Sequence, residues 1–159
     1  MIHVAIIHKR YLDAILAGDK TIEARLARNR GEPFARIQRG ERIYFKQSSG
    51  RFRATALASK VTFRDSLRPE DINRIGNQHG DRILADCAYW KLKKSATCAT
   101  LIWLRDIEPI DSGPDLSAAQ TPGSRRAWFV LPDILDIYPQ CTRNCQVLPN
   151  LHPVPAGRG

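Results

Sequence analysis

Two cations and one carboxylate lie close together near the start of the chain, as Lys20, Glu23 and Arg25 within residues 18–25. A lysine that is partly desolvated beside another cation has a lowered pKa and can act as a base. A guanidinium binds phosphate oxygens or a base edge, and a carboxylate accepts a hydrogen bond from an exocyclic amine. The same spacing also fits an exposed strand whose ion pairs contribute only about 0 to 1 kcal/mol each. The three residues therefore indicate either a polar site or an ordinary charged strand.

A strand and a helix lead into this segment. Residues 3–7 are rich in β-branched side chains and predict a short strand. Residues 9–17 have apolar side chains at helical spacing and predict a helix that ends at Gly18, a residue that favours the left-handed conformation of a helix C-cap. We therefore expect the charged segment to begin directly after a helix.

Residues 21–26 alternate between apolar and polar side chains, which predicts a strand. Glu23 and Arg25 then share the exposed face of that strand with Thr21. Lys20 has the opposite parity and joins them only if the turn after Gly18 or a β-bulge rotates it. The buried face consists of Ile22, Ala24 and Leu26.

The pattern Gly-x-Lys-x-x-Glu-x-Arg at residues 18–25 resembles the signature of ASCH domains, a branch of the PUA-like superfamily of small β-barrels that handle RNA and modified nucleobases. Residues 40–45, Gly-Glu-Arg-Ile-Tyr-Phe, resemble the strand that follows the signature in that family. The resemblance is specific over residues 7–45 and looser to about residue 131. It implies an α+β fold, a small mixed PUA-like β-barrel of about six strands with flanking short helices. We expect one such domain over residues 1–138 and a disordered tail, rich in Pro and Gly, over residues 139–159.

The resemblance implies two classes of function. In the first, the protein binds RNA, in particular single-stranded RNA, or a modified nucleoside or nucleobase in a basic cleft. In the second it is a hydrolase, because some ASCH proteins are amidohydrolases that deacetylate N4-acetylcytidine with a lysine that resembles Lys20. Glu23 stands where those enzymes carry a threonine nucleophile, so Lys20 and Glu23 would be the catalytic residues and Glu23 would activate water. Only Glu70 or Asp71 could match their second glutamate. A ribonuclease is a third alternative, with Lys20 acting beside the hydroxyl of Tyr44 or Ser48.

The charge distribution favours a polyanionic ligand. The formal net charge is +9, and residues 1–64 carry 14 Lys and Arg against 5 Asp and Glu, whereas residues 65–159 carry 11 of each. The whole excess therefore surrounds the signature, although a basic surface also serves solubility. The predicted ligand-binding residues are Lys20, Glu23, Arg25, Arg28, Arg30, Arg36, Tyr44, Lys46, Ser48 and His79.

The rest of the chain reads as strands and short helices around an arginine-rich loop at 29–39. We expect a hairpin of strands 42–46 and 52–63, and then helices over 66–75 and 81–92. A Gly-flanked loop that contains His79 separates these two helices. Strands 97–104 and 127–131 and a short helix over 132–137 follow. In the second of those helices the inward residues are Ile83, Leu84, Cys87 and Ala88. Two aromatic residues, Tyr89 and Trp90, precede Lys91, Lys93 and Lys94. They indicate either core packing, which we favour for Trp90, or a platform on which bases stack.

Neither a cofactor nor a metal is predicted. The spacing of the four cysteines matches no paired zinc pattern. Cys87 and Cys98 lie in apolar patterns typical of core residues, and Cys141 and Cys145 lie with His152 in the predicted tail. No run approaches the roughly 20 apolar residues of a membrane helix, and no secretory signal is recognisable. We therefore expect a cytoplasmic protein that does not bind membranes, and the sequence leaves its oligomeric state open.

Overall fold

Six strands and three helices make up the part of the chain that the computed structural model describes, residues 1–117, 119 and 126–132. The predicted α+β fold is confirmed. The tail at 139–159 and nearly all of the helix predicted at 132–137 lie outside the described residues. The strands are Ile2–Ile7 (β1), Ile22–Ala27 (β2), Arg42–Gln47 (β3), Phe52–Arg64 (β4), Cys98–Pro109 (β5) and Trp128–Leu131 (β6), and the helices are Lys9–Ala17 (α1), Pro69–Ile83 (α2) and Cys87–Lys93 (α3).

The strands form one mixed sheet in the order β2-β5-β4-β3-β1-β6. Strands β1 and β3 are parallel, and the other neighbours are antiparallel. The register of the long β4 and β5 pair shifts between Thr55 and Leu57 and again between Ala58 and Lys60. Such irregularities bend and twist a sheet, and the sheet curls into a half-barrel whose edge strands are β2 and β6.

The two faces of the sheet are covered by different helices. On the inner face, Leu12 and Ile15 of α1 pack with Phe45, Ile43 and other apolar side chains of the barrel strands. On the outer face, the apolar side chains of α2 pack against β2 and β5. Both faces of β2 are consequently covered, one by α2 and the other by the closing barrel.

Helix α1 has the predicted bounds and ends at Gly18, whose φ of 82° is left-handed. The predicted loop at 76–80 is wrong, because α2 continues through it to Ile83. Ile72, Ile75 and Ile83 keep helical spacing and are buried, and their packing offsets the cost of about 1 kcal/mol for each glycine inside a helix.

The break between the two C-terminal helices comes later than predicted, after Leu84, which takes a left-handed conformation. Leu84, Cys87 and Ala88 are therefore exposed rather than inward, so the core role predicted for Cys87 is wrong. Cys98 is buried, as predicted. Trp90 is partly buried and packs against the apolar side chains of α2, β2 and β5, in line with the favoured interpretation as a core residue.

Within the described ranges, no helix combines the length and the apolar character that a bilayer crossing requires.

Candidate functional site

A cavity of about 210 Å³ opens at the seam of the half-barrel, where β1 ends and the edge strand β2 begins. Lys20, Glu23 and Arg25 form its polar floor, and we call these three residues the seam cluster. The rings of Tyr11 of α1 and Tyr89 of α3 form the aromatic part of its wall. The remaining lining residues are Ile6, Ile7, His8, Ile83, Ala85 and Ala127.

Lys20 reaches the floor because of the turn that follows α1. The left-handed Gly18 reverses the chain, and the backbone N–H of Lys20 donates to the carbonyl of Ala14 over 3.0 Å. The Lys20 side chain, only 4 % exposed, then donates from Nζ to the carbonyls of Ile22 (2.8 Å) and Ile83 (2.7 Å). Its Nζ also lies 3.3 Å from Oε2 of Glu23. The three N–H groups of the ammonium thus have three acceptors. The turn after Gly18 therefore rotates Lys20 onto the same face as Glu23 and Arg25.

Glu23 links the two cations. Its Oε1 accepts a hydrogen bond of 2.8 Å from Nε of Arg25, while Oε2 faces Lys20. Although its position in β2 predicted an exposed side chain, Glu23 is only 4 % exposed, so that expectation is wrong. The reason is the curl of the sheet, which brings β1 and α1 over the polar face of β2.

Arg25 spans the seam between the two edges of the sheet. Its Nη1 donates to the carbonyl of Ala127 over 3.3 Å, and its Nη2 donates to the carbonyl of Ile6 over 3.4 Å. The guanidinium also lies over the ring of Trp128, 5.1 Å from its centre. These contacts join β2 to β1 and to the residue just before β6, although neither is its neighbour in the sheet.

The charges of the seam cluster shift one another's pKa values. Burial lowers the pKa of Lys20, the attraction of Glu23 opposes that effect, and the nearby charge of Arg25 adds to it. Burial by itself would raise the pKa of Glu23, but the two cations outweigh it and lower that pKa. Burial also raises the pKa of Tyr89, and the charge of Glu23 adds to the rise. Glu23 is therefore an ionised acceptor and Tyr89 a neutral hydroxyl, which donates to the carbonyl of Ala24 over 3.3 Å.

The predicted arginines beyond the seam cluster lie outside the cavity. Arg28 follows β2 and donates to the hydroxyl of Ser95. Arg30 pairs with Asp65, and Arg36 is exposed in the loop that follows.

The residues predicted on β3 and its turn also lie elsewhere. Tyr44 packs edge-on against Phe52, Lys46 donates to the carbonyl of Gly50, and the side chain of Ser48 is exposed. His79 lies on α2 with its ring against Trp103. None of these four side chains lines the cavity.

The acidic residues predicted as a second catalytic group are remote. Glu70 and Asp71 lie in the first turn of α2, whereas the cavity is lined by Ile83 at the other end of that helix. Twelve residues of α-helix at 1.5 Å each correspond to roughly 18 Å. Glu23 is thus the only carboxylate among the described residues that line this cavity.

Sequence reasoning overlooked Tyr11 and His8 as cavity residues. Tyr11 lies in an amphipathic helix, where the sequence pattern cannot distinguish an aromatic residue that lines a cavity from one that packs in the core. His8 precedes that helix, and nothing in the pattern marks it as a cavity residue. For Tyr89 the sequence does contain a signal, because lysines follow it. One of them, Lys93, lies over its ring, with Nζ 5.8 Å from the ring centre. In the described part of the chain, no three His, Cys, Asp or Glu side chains are grouped so that they could hold a metal ion.

Solved structures of an ASCH protein share this architecture. The crystal structure of ASCH from Zymomonas mobilis matches with a TM-score of 0.62 at 19% identity, over 82% of this chain and 87% of that chain. Two mutants of that protein match with TM-scores of 0.61 at 19% identity (82% and 88% covered) and 0.63 at 16% identity (89% and 97% covered). The protein therefore has the ASCH-domain fold, as the signature predicted.

At the level of sequence alone, no protein-family model matches the chain, and no curated protein matches it. The likeness thus rests on the fold.

Proposed function

We propose that the protein binds RNA or a modified nucleoside by taking one nucleobase into the seam cavity. The observation that carries this proposal is the seam cluster itself, an ionised carboxylate held between two cations at the floor of an aromatic-walled cavity. Buried charges are costly unless they are paired, and Glu23 is paired yet open to a cavity. Such an arrangement suits a ligand that adds further hydrogen bonds.

The size of the cavity suits one base. A cavity of about 150 Å³ accommodates a benzene ring, and this cavity measures about 210 Å³. A substituted pyrimidine is a planar ring of comparable size, and the rings of Tyr11 and Tyr89 offer it apolar and aromatic contact. A ribose and its phosphates would remain outside. The proposal is therefore recognition of a base, with the rest of the ligand at the mouth.

The hydrogen-bonding capacity of the floor also suits a base edge. A carboxylate has about four lone-pair sites, and Glu23 uses two of them for Lys20 and Arg25. The remaining sites can accept from an exocyclic amine or a ring N–H. Arg25 makes long contacts to its two carbonyls and keeps 21% of its side chain exposed, so it can donate to a base carbonyl. The floor thus offers an acceptor next to a donor.

A binding role fits this geometry better than deacetylation. All three N–H groups of Lys20 are engaged, two of them by backbone carbonyls, so a neutral Lys20 would leave one of these acceptors unpaired. The two residues that the resemblance suggested for the second acidic group, Glu70 and Asp71, are remote, at the start of α2. The ribonuclease alternative has no better support, because the hydroxyls of Tyr44 and Ser48 do not line the cavity.

The test is calorimetric titration of the protein with cytidine, uridine and N4-acetylcytidine, with mass analysis of the same mixtures. We expect saturable binding of at least one of them and no product. Arg25→Gln removes a charge-assisted hydrogen bond worth about 1.5 to 3 kcal/mol, so it should weaken binding about 10- to 100-fold. The matched control is Arg105→Gln, which removes the same charge from an exposed position on β5.

A second pair of variants tests the aromatic wall. Tyr89→Leu should weaken binding by about 1 to 3 kcal/mol, the usual contribution of stacking one base, while Tyr89→Phe should retain most of the affinity. Equal losses in Arg25→Gln and Arg105→Gln, or equal losses in the two Tyr89 variants, would contradict the proposal. Release of acetate and cytidine from N4-acetylcytidine would replace it with the amidohydrolase alternative, in which Glu23→Gln should abolish turnover.

A further inference from the structure

A second groove lies beside the seam cavity, between the end of β2 and the C-terminal half of α3. Its volume is about 280 Å³. Lys93 contributes to this groove and also lies over the ring of Tyr89, which lines the seam cavity. The two depressions are therefore neighbours, with Tyr89 lining the seam cavity and Lys93 lining the groove. The groove is lined by Leu26, Ala27, Arg28, Leu92, Lys93, Ser95 and Ala96.

The positive charges of this groove, Arg28 and Lys93, form no ion pair with a described carboxylate. Arg28 points two donors, Nε at 3.1 Å and Nη2 at 2.9 Å, at the neutral hydroxyl of Ser95. No carboxylate of the described residues lies within 4.0 Å of Arg28 or Lys93, whereas exposed cations elsewhere on the surface, such as Arg30 and Arg74, do form ion pairs. Burial, together with the charge of Arg25, lowers the pKa of Lys93.

The surroundings of the groove suit a nucleic-acid backbone. Unpaired cations attract phosphate, and their contribution to binding comes from the release of counterions. Leu92, 74% exposed, offers an apolar surface beside them that can contact a ribose. Lys91 and Lys94 extend the positive charge along the exposed side of α3. A free nucleoside in the seam cavity would have no group to place here.

We propose that this groove binds the backbone phosphate next to the nucleotide whose base occupies the seam cavity, so that the ligand is single-stranded RNA rather than a free nucleoside. The proposal rests on the base-binding role proposed above. It assigns Arg28 and Lys93 to phosphate contacts, and it directs the strand from the seam along the edge strand β2 toward Ser95.

The test compares a free nucleoside with a short RNA. The probes are cytidine and hexacytidylate, titrated into the wild type and into the double variant Arg28→Gln/Lys93→Gln. The double variant should bind hexacytidylate about tenfold or more weakly at physiological salt while its affinity for cytidine stays within about twofold. Its plot of log affinity against log salt should be shallower by about 0.7, since the groove neutralises one phosphate and each neutralised phosphate of a single strand contributes about 0.7.

A matched control and a second variant keep the test independent of folding defects. Lys60→Gln/Arg105→Gln removes the same two charges from β4 and β5, outside the groove, and should change the affinity for hexacytidylate far less. Ser95→Asp leaves both cations in place but gives Arg28 a carboxylate partner, and it should weaken RNA binding without altering cytidine binding. Circular dichroism and Tm verify that each variant is folded.

The possible failures are distinguishable. If the wild type binds cytidine but hexacytidylate no more tightly, or if the groove variant and its matched control lose RNA affinity equally, the phosphate groove is refuted and the base-binding proposal stands. If the wild type binds neither probe, the phosphate groove is refuted, and the base-binding proposal falls with it unless uridine or N4-acetylcytidine binds in the titrations above.

Discussion

Two polar clusters, each mostly buried, meet at Trp128, and they differ in the hydrogen-bonding capacity that they leave for a ligand. The seam cluster reaches Trp128 through Arg25 and opens onto a cavity. The second cluster consists of His3, Glu41 and Trp128, and we call it the amino-terminal cluster. His3 is fully buried, its Nε2 lies 2.9 Å from Oε2 of Glu41, and its Nδ1 lies 3.2 Å from Nε1 of Trp128.

The amino-terminal cluster has little capacity left for a ligand. An indole N–H can only donate, so Nδ1 of His3 accepts from it and Nε2 carries the proton that Glu41 accepts. The same carboxylate also accepts from the backbone N–H of Gln38 at 2.7 Å and from the terminal ammonium of Met1 at 3.2 Å. His3 does not line the seam cavity or the four other principal cavities of the described residues. A buried polar group is thus a site candidate when it faces a cavity with unused lone pairs, and a structural element when its partners are all protein.

The largest effect is expected from Lys20→Met, because Lys20 is the structural member of the seam cluster. The substitution leaves Glu23 with one cation fewer and deprives two buried carbonyls of their donor. Breaking a buried ion pair from one side costs about 3 to 5 kcal/mol of unfolding free energy. Chemical denaturation measures this cost, and Lys60→Met, on the surface of β4, is the control. A stable Lys20→Met variant would show that the cluster is not held by Lys20.

A smaller loss of stability, without loss of binding, is expected from Glu41→Gln. The substitution removes the ionised acceptor of His3 and of Met1, which costs about 1 to 3 kcal/mol. Because Glu41 does not line the seam cavity, the affinity for a nucleoside should stay within about twofold. Calorimetry on the folded variant tests this. If Glu41→Gln weakened binding as strongly as Arg25→Gln, the distinction between the two clusters would fail.

The amino-terminal cluster should also make stability depend on pH. Burial lowers the pKa of His3 below its ordinary value of 6.5, although Glu41 opposes the shift. The unfolded chain therefore binds a proton below about pH 6.5 that the folded protein does not take up, so the unfolding free energy decreases as the pH falls through and below that value. Denaturation midpoints between pH 7.5 and about pH 5 measure the slope.

Two histidine variants locate this pH dependence. His3→Gln keeps an acceptor for Trp128 and a donor for Glu41 but does not titrate, so much of the slope should disappear. His8→Gln, at an exposed position, should retain it. Equal slopes in the two variants would exclude His3 as the origin.

The smallest effects are expected from the arginine-rich loop. Arg36 and Arg39 are exposed and line neither the seam cavity nor the neighbouring groove beside α3. Arg36→Gln/Arg39→Gln should change the unfolding free energy by no more than about 0.5 kcal/mol and cytidine affinity by less than about twofold. A tenfold loss of cytidine affinity would show that this loop belongs to the binding site. Charge density would then matter more for binding than the geometry of the cavity.

Local sequence was sufficient for several elements that carry the site. The apolar spacing of residues 9–17 and the glycine after them predicted α1 and its end, because helical periodicity and the left-handed cap are properties of adjacent residues. The alternation in residues 21–26 correctly predicted that Glu23 and Arg25 share a face. The helix through Gly76 and Gly80 was missed, because its packing against β2 and β5 outweighs the local preference of glycine.

What the sequence by itself determined was the chemistry of the floor: two cations and a carboxylate at a spacing that resembles the ASCH signature, within the strongly basic first 64 residues. Only the tertiary structure decided that this face of β2 is buried, that Arg25 reaches carbonyls 19 and 102 residues away, and that Tyr11 and Tyr89 line one cavity. The physical reason is that periodicity determines which side chains share a face, whereas the curvature of the sheet and the closure of its edges determine what covers that face.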